Sequence, residues 1–332
     1  MTQPVQDYSS ATSTSVEIYT NRFEQLEWIF AETFNVPATI LVSWVALSLI
    51  VYGQHTDKWR KENRLNPTQI DAGIVYTLAV FTTICGFIRL ATNQVVFNFG
   101  YTDKSSLRCE VGTAISLVFY FLSTDGSYMF LWFRQRSLYR HPSMEELNKR
   151  WMKRLAFITF ILILLNPLFL LACTLATGRF IPTGQGCIKS AGDHRLPLWP
   201  YYVIISFDTF AQVSILFLLL YPLFVNISCS NADRVMKIVK RSAIFAGICV
   251  SSDAIAMAIA IMVASDKTLL ITVLTVYDIN MIVNIASVFF SFGSWKKIFV
   301  APFVSCLPSK TNDHSEQTKV YTTSVTSCAH AV

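Results

Sequence analysis

Four aspartates lie inside long apolar stretches of this chain, where a carboxylate is least expected. Each stands nine to twelve residues from the nearest charged or loop boundary. At a helical rise of about 1.5 Å per residue, that spacing would place all four near the middle of a bilayer. An ionised side chain at that depth costs about 2.5–3.5 kcal/mol on membrane-insertion scales. The four residues are Asp125 in "STDGSY", Asp208 in "ISFDTF", Asp253 in "VSSDAIA" and Asp278 in "VYDIN".

Carboxylates in an apolar helix bundle can be accommodated by two kinds of chemistry. Some can stay protonated and donate hydrogen bonds to neighbouring helices, and others can share a bound cation, either an inorganic ion or a ligand amine. Asp253 and Asp278 are the strongest ligand candidates because their helices are neighbours in the sequence, and Tyr277 and Asn280 lie beside Asp278. We predict that the two aspartates contribute to one cation-responsive site within the bundle, and Asp208 is a further candidate.

Asp125 is predicted to lie apart from that site. Asp125 precedes Arg134 by nine residues, about 180° around a helix. It therefore leaves the polar face of its helix and is expected to hydrogen-bond a neighbouring helix near Asn166. Arg89 is the one basic residue within the apolar segments, and it lies near the outer end of its helix. The sequence thus offers one intramembrane cation for four carboxylates.

The overall composition favours a membrane protein. Hydrophobic residues make up 53% of the 332 positions and charged residues 14%, whereas an ordinary soluble domain carries about 25% charged residues. Phosphate loops, HExxH and GxSxG motifs and zinc-type cysteine spacings are absent from the sequence. Basic residues are not interleaved with aromatic residues on a soluble domain. We therefore expect no enzyme, no cofactor or metal site and no nucleic-acid partner.

Seven segments supply the roughly 20 apolar residues that a membrane-spanning helix needs. The predicted fold is therefore all-α, a bundle of seven transmembrane helices. The chain divides into an N-terminal segment of residues 1–33, a helical domain of residues 34–292 and a tail of residues 293–332. The predicted spans are residues 34–53, 70–91, 110–133, 155–177, 198–225, 242–264 and 268–292.

The basic residues that flank the spans predict the orientation of the chain. Lysine and arginine number 19 on the side that carries the C-terminal tail and the 54–69, 134–154 and 226–241 loops, and seven on the other side. Cytoplasmic loops of membrane proteins carry the excess of basic residues. This asymmetry places the N-terminus outside and the C-terminus in the cytoplasm.

Two cysteines are the only ones predicted to face the oxidising side outside a span. Cys109 opens the third span, and Cys187 lies in the longest outer loop. A disulfide between them would tie that loop to the third helix, and the alternative is two free thiols. Seven spans, an outside N-terminus and this cysteine pair resemble the G protein-coupled receptors.

Two further positions carry a partial resemblance to the rhodopsin-like class of these receptors. In that class, the arginine of an Asp-Arg-Tyr triplet follows the third-helix cysteine by 25 residues; here the position is Arg134, within "FRQ". Asn284 stands where the class has Asn-Pro-x-x-Tyr, but the stretch reads "NIASV". The resemblance is therefore to a divergent receptor. The helix face shared by Cys109 and Arg134 is predicted to look into the bundle and also carries Thr113, Ser116, Tyr120, Ser123 and Ser127.

The resemblance implies a plasma-membrane receptor that passes the signal of an extracellular ligand to the cytoplasmic face. Its implied partners are the lipid bilayer and a heterotrimeric G protein, and Arg134, Lys240 and Arg241 are candidates for cytoplasmic coupling. The alternative is an ion- or proton-linked transporter that uses the intramembrane aspartates. The lack of an internal sequence repeat argues against that alternative.

The residues after the seventh span predict a short interfacial helix. The stretch that begins "SWKKIF" is amphipathic and ends near Cys306, a candidate for lipidation. On the same side, Ser143 and Glu146 have capping-box spacing and predict a short helix that runs into the fourth span. The remaining tail is rich in serine and threonine and is predicted to be disordered.

Overall fold

The computed structural model describes residues 22–56, 67–102, 106–140, 149–177, 180–183, 186–189, 199–225, 232–263 and 270–305. Within these ranges the chain forms eight α-helices and one β-hairpin, so the predicted all-α class is confirmed there apart from the hairpin. The elements are α1 (Arg22–His55), α2 (Pro67–Thr102), α3 (Ser106–Tyr139), α4 (Arg150–Thr177), β1 (Phe180–Thr183), β2 (Gly186–Lys189), α5 (Trp199–Phe224), α6 (Ala232–Val263), α7 (Leu270–Ser291) and α8 (Trp295–Ser305).

Six of these helices are long and apolar enough to cross a membrane, so the chain is a multi-pass integral membrane protein. Large apolar side chains such as Ile40, Phe210 and Ile255 are exposed on the bundle surface, where they contact lipid. The helix α4 has 28 residues and packs against α3 and α5, and its crossing of the membrane stays a prediction. The six spanning segments are residues 29–55, 73–96, 111–139, 205–224, 236–259 and 272–291.

Five helices, α1 to α4 and α6, extend beyond the apolar segments that predicted them. The helix α1 begins at Arg22, within the predicted N-terminal segment, and α6 begins at Ala232, within a predicted loop. Hydropathy marks only the apolar part of a helix, whereas the backbone stays helical through lysine and arginine, which have good helix propensity. Arg134, Lys240 and Arg241 therefore lie on helices rather than in loops.

The hairpin marks one end of the bundle, which we call the hairpin end. Strand β1 pairs antiparallel with β2, with Pro182 opposite Cys187, and the hairpin lies against α2 and α3. Because successive helices alternate in direction, α5 and α7 begin at this end and α6 ends there. Asp208, Asp253 and Asp278 each lie within about ten residues of it, so they share a similar depth at a helical rise of about 1.5 Å per residue.

The opposite end carries α8, and we call it the α8 end. This helix follows α7 after a short turn and packs on α1, where the rings of Trp44 and Phe303 are 4.9 Å apart and Ile298 is fully buried. The predicted interfacial segment is therefore confirmed as a helix. Cys306 and the stretch 141–148, where a cytoplasmic helix was predicted to start, lie outside the described residues.

The polar face predicted for α3 is confirmed by burial. This face turns inwards and packs against α2, where Ser123 Oγ donates a hydrogen bond to the Thr82 carbonyl oxygen at 3.0 Å. Small polar side chains let two helices approach closely in a membrane protein. The buried residues of the face are Thr113, Ser116, Tyr120, Ser123 and Ser127.

Gly126 lies in the contact between α3 and α2. A Cβ atom at this position would stand 2.5 Å from Thr82 Oγ1 and 3.4 Å from a ring carbon of Phe81. The first distance is too short for carbon and oxygen, so the spacing of the two helices requires a glycine. The glycine beside Asp125 is thus explained by helix packing.

We expect Gly126→Ala to lower the stability of the folded protein by about 1–3 kcal/mol, because the added methyl group must displace Thr82 or push α2 away from α3. Gly247→Ala is the matched control, since its Cβ would meet its nearest atom only at 4.0 Å. The better helix propensity of alanine makes that control neutral or slightly stabilising. The thermal unfolding midpoints of the purified variants in detergent measure the effect, and equal midpoints would contradict the close contact.

Candidate functional site

A deeply buried ion pair joins α2 to α7. Arg89 Nε donates to Asp278 Oδ1 at 3.0 Å, and the two side chains are 1% and 2% exposed. Asn93, one turn after Arg89, donates from Nδ2 to Asp278 Oδ2 at 2.6 Å. Ser116 of α3 closes the group, because its hydroxyl accepts from Arg89 Nη1 and donates to Asn93 Oδ1. The charge of Asp278 is therefore matched inside the protein.

Asp253 of α6 has a different environment. Its Oδ1 atom accepts hydrogen bonds from two residues of α7, Asn280 Nδ2 at 2.6 Å and Asn284 Nδ2 at 3.0 Å. Its Oδ2 atom accepts from Gln212 Nε2 of α5 at 3.1 Å. All three donors are neutral amides, and within the described part of the chain Asp253 has no ion pair. Asp253 therefore differs from Asp278, whose carboxylate is paired with Arg89.

Asp208 joins the Asp253 group through Gln212. The same Gln212 nitrogen donates to Asp208 Oδ2 at 2.8 Å, so one amide bridges carboxylates of α5 and α6. Asp208 is partly exposed, whereas Gln212 and Asp253 are buried. The three side chains form a polar line from the surface of the bundle to its interior.

Tyr120 of α3 lies between the two groups. The Arg89 guanidinium stands 5.4 Å from the centre of the Tyr120 ring, within the range of a cation–π contact. Asn280 Nδ2 donates a long hydrogen bond to the Tyr120 hydroxyl oxygen at 3.4 Å, and the Tyr277 ring packs against Tyr120 at 5.2 Å. Side chains of α2, α3, α5, α6 and α7 thus meet in one continuous polar network.

The structure places the predicted ligand residues in this network but divides them between its two groups. Asp208, Asp253 and Asn280 belong to one, and Asp278 belongs to the other, with Tyr277 beside the Tyr120 ring that links them. A single cation-responsive site around Asp253 and Asp278 stays a prediction, but Asp278 already has a cation in Arg89. Asp253 has no such cationic partner in the described part of the chain.

Gln212 and Asn93 are members of the network that sequence reasoning missed. Gln212 follows Asp208 by four positions, and Asn93 follows Arg89 by four positions. Residues four apart share one face of a helix. This spacing between a charged residue and an amide was the signal that could have found them.

Three other predicted residues are Asp125, Cys109 and Cys187. Asp125 is partly buried and within electrostatic range of Asp208, and the side chain of its predicted partner, Asn166, lies outside the described part of the chain. The backbones of Cys109 and Cys187 lie in α3 and in the hairpin that packs on it. The side chains of both cysteines are likewise outside the described part, so their disulfide stays a prediction.

At the α8 end, two arginines bind the last turn of α7. Arg134 of α3 donates from Nη1 to Ser291 Oγ at 2.6 Å and from Nη2 to the Ser291 carbonyl oxygen at 2.8 Å. Arg241 of α6 donates from Nε to the Phe290 carbonyl oxygen at 2.9 Å. Carbonyl groups in a last helical turn lack intrahelical partners and carry partial negative charge. We call these two arginines and the last turn of α7 the arginine clamp; Lys240, next to Arg241, is exposed.

No protein-family model matches the chain, and no curated protein matches it. Its class follows from its own composition and geometry. Six apolar helices of spanning length enclose charged and amide side chains that lipid cannot solvate. Ionisable side chains within a membrane bundle point to a functional site. The chain is thus a multi-pass membrane protein built around a polar interior.

Proposed function

We propose that this chain is a seven-span receptor of the plasma membrane, similar in type to the G protein-coupled receptors. It passes the signal of an extracellular ligand to a heterotrimeric G protein. The proposal takes α4 as the fourth span and places the N-terminus outside, as the excess of basic residues on the other side supports. The Cys109–Cys187 disulfide would then lie at the hairpin end, on the oxidising side of the membrane.

The proposal rests on one observation: α7 contacts both the polar network and the arginine clamp. Its middle turns supply Asp278, Asn280 and Asn284 to the polar network, and its last turn belongs to the arginine clamp. One helix therefore contacts both the candidate ligand site and the α8 ends of α3 and α6. A ligand that rearranges the network would shift α7, and a shift of α7 would change the clamp. Such coupling between two distant sites is what a receptor requires.

An ion- or proton-linked transporter is the second candidate. The observation in its favour is the polar line of Asp208, Gln212 and Asp253, since carboxylates in series within a membrane also form ion and proton relays. Many transporters build their binding sites from internal repeats and broken helices. The helices α1 to α7 run unbroken over their described ranges, and the sequence shows no repeat.

The receptor proposal predicts that the two termini lie on opposite sides of the membrane. It also predicts that the protein activates G proteins. An epitope tag on the N-terminus is expected to bind antibody on intact cells, and a C-terminal tag only after permeabilisation. Overexpression of the full chain is expected to raise ligand-independent G-protein activation above that of mock-transfected cells. Finding both tags on one side would remove the seven-span arrangement.

Flux measurements separate the two candidates. We expect proton and sodium flux into vesicles that contain the purified protein to equal the flux into protein-free vesicles. A flux that Asp253→Asn abolishes, found together with no G-protein activation, would favour the transporter.

A further inference from the structure

The unpaired hydrogen-bonding positions on Asp253 and Asn284 are acceptors. A carboxylate offers about four lone-pair directions, and the three amide bonds occupy two of them on Oδ1 and one on Oδ2. Asn284 is 1% exposed, and its nitrogen bonds to Asp253. The Oδ1 atom of Asn284 has no partner among the described residues. An unpaired buried acceptor is costly, so this arrangement favours an added donor.

An ionised Asp253 would favour a cation as the added donor. Its three partners are neutral amides, in contrast to Asp278, which is paired with Arg89. A water molecule could donate to the open acceptors, but it would leave the carboxylate charge unmatched in an interior of low dielectric. A positively charged donor satisfies the acceptors and the charge together.

An ammonium group fits these atoms better than a metal ion does. Hard metal ions such as Ca²⁺ and Mg²⁺ take about six or more oxygen ligands, whereas Asp253 Oδ2 and Asn284 Oδ1 are the acceptors open here. No group of three His, Cys, Asp or Glu side chains in the described ranges could hold a metal ion. An ammonium nitrogen carries three N–H donors and needs no closed shell of oxygen atoms.

We propose that Asp253 and the side-chain oxygen of Asn284 bind the protonated amine of a ligand between α5, α6 and α7. Asp208, bridged to Asp253 by Gln212, places a second carboxylate on the partly exposed side of the site and favours the approach of a cation. This inference rests on the proposed function, because it names the ligand class of the receptor. Binding itself can be measured without any signalling.

The test uses n-butylammonium chloride as the probe, on the purified full-length protein in detergent at constant ionic strength. We expect the thermal unfolding midpoint to rise by about 2–4 °C at a probe concentration tenfold above its dissociation constant. Choline, which has no N–H donor, and sodium are expected to give no such rise. Asp253→Asn is expected to abolish the rise. Asp71→Asn, the same change at an aspartate that pairs with Arg140 at the α8 end, is expected to keep it.

Three results would overturn the proposal. An equal rise with choline would show that N–H donation is not used, and an equal rise with sodium would show that an inorganic ion suffices. An unchanged rise in Asp253→Asn would place any amine site elsewhere. The choline and sodium measurements use the unaltered protein, so they decide the matter even if Asp253→Asn does not fold. An amine response without G-protein activation would contradict only the receptor proposal. G-protein activation without an amine response would contradict only the amine-binding proposal.

Discussion

Arg89→Met is expected to lower the stability of the folded protein by about 3–5 kcal/mol and to remove most of it from the cell surface. The substitution keeps a long unbranched side chain but leaves the Asp278 carboxylate buried without its countercharge. Ser116 also loses the hydrogen bond that it accepts from Arg89. Thermal unfolding of the purified protein in detergent and antibody labelling of a surface tag measure the two effects.

A double variant distinguishes two contributions to stability: the cost of a buried charge left without a partner, and the stabilisation that the ion pair itself provides. Arg89→Met combined with Asp278→Leu is expected to recover at least half of the lost stability, because replacing both charges of a buried pair by apolar groups is often nearly neutral. The matched control is the Arg140–Asp71 pair, in which the Arg140 side chain is 37% exposed. Asp71→Asn, which leaves only this partly exposed arginine without its partner, is expected to cost about 1 kcal/mol or less. Purely additive effects of the two substitutions at Arg89 and Asp278 would contradict the predicted coupling.

Replacing both arginines of the clamp by glutamine is expected to free the last turn of α7 from α3 and α6. Hydrogen bonds from a charged group contribute about 1.5–3 kcal/mol each, and about 1.4 kcal/mol already changes a conformational equilibrium tenfold. We expect pulsed electron paramagnetic resonance between nitroxide labels at Lys237 and Lys297, both exposed, to give a narrow distance distribution in the unaltered protein. In the Arg134→Gln and Arg241→Gln double variant, the distribution is expected to broaden towards longer distances.

The control for this experiment is Lys240→Gln. Lys240 is exposed and adjacent to Arg241 in the sequence, so the variant removes a positive charge from the same helix without touching the clamp. Its distance distribution is expected to match that of the unaltered protein. This readout does not depend on whether Arg134 and Arg241 also contact a G protein. Identical distributions in the double variant and the control would show that the clamp does not hold α7.

The elements of the fold could be predicted because they depend on local composition. The length of an apolar run decides whether a helix can cross a bilayer, and six of the predicted spans correspond to helices of spanning length. The polar face of α3 follows from a period of about 3.6 residues, and the amphipathic stretch at "SWKKIF" becomes α8. The helix ends were less predictable, because charged turns such as those at the start of α6 continue the backbone hydrogen bonds beyond the apolar run.

The partners of the charged side chains were decided only by the tertiary structure. No local pattern relates Arg89 to Asp278, which is 189 positions away, because their contact depends on how α2 and α7 are rotated about their axes. The arginine clamp could not be predicted from the sequence either, because Arg134 and Arg241 bind backbone carbonyl groups, which every residue carries. The sequence by itself determined that four carboxylates lie within apolar segments. Helix packing determined that Asp278 meets the Arg89 guanidinium and that Asp253 meets three amides. A buried carboxylate is stabilised by whichever donors the neighbouring helices bring within hydrogen-bond distance.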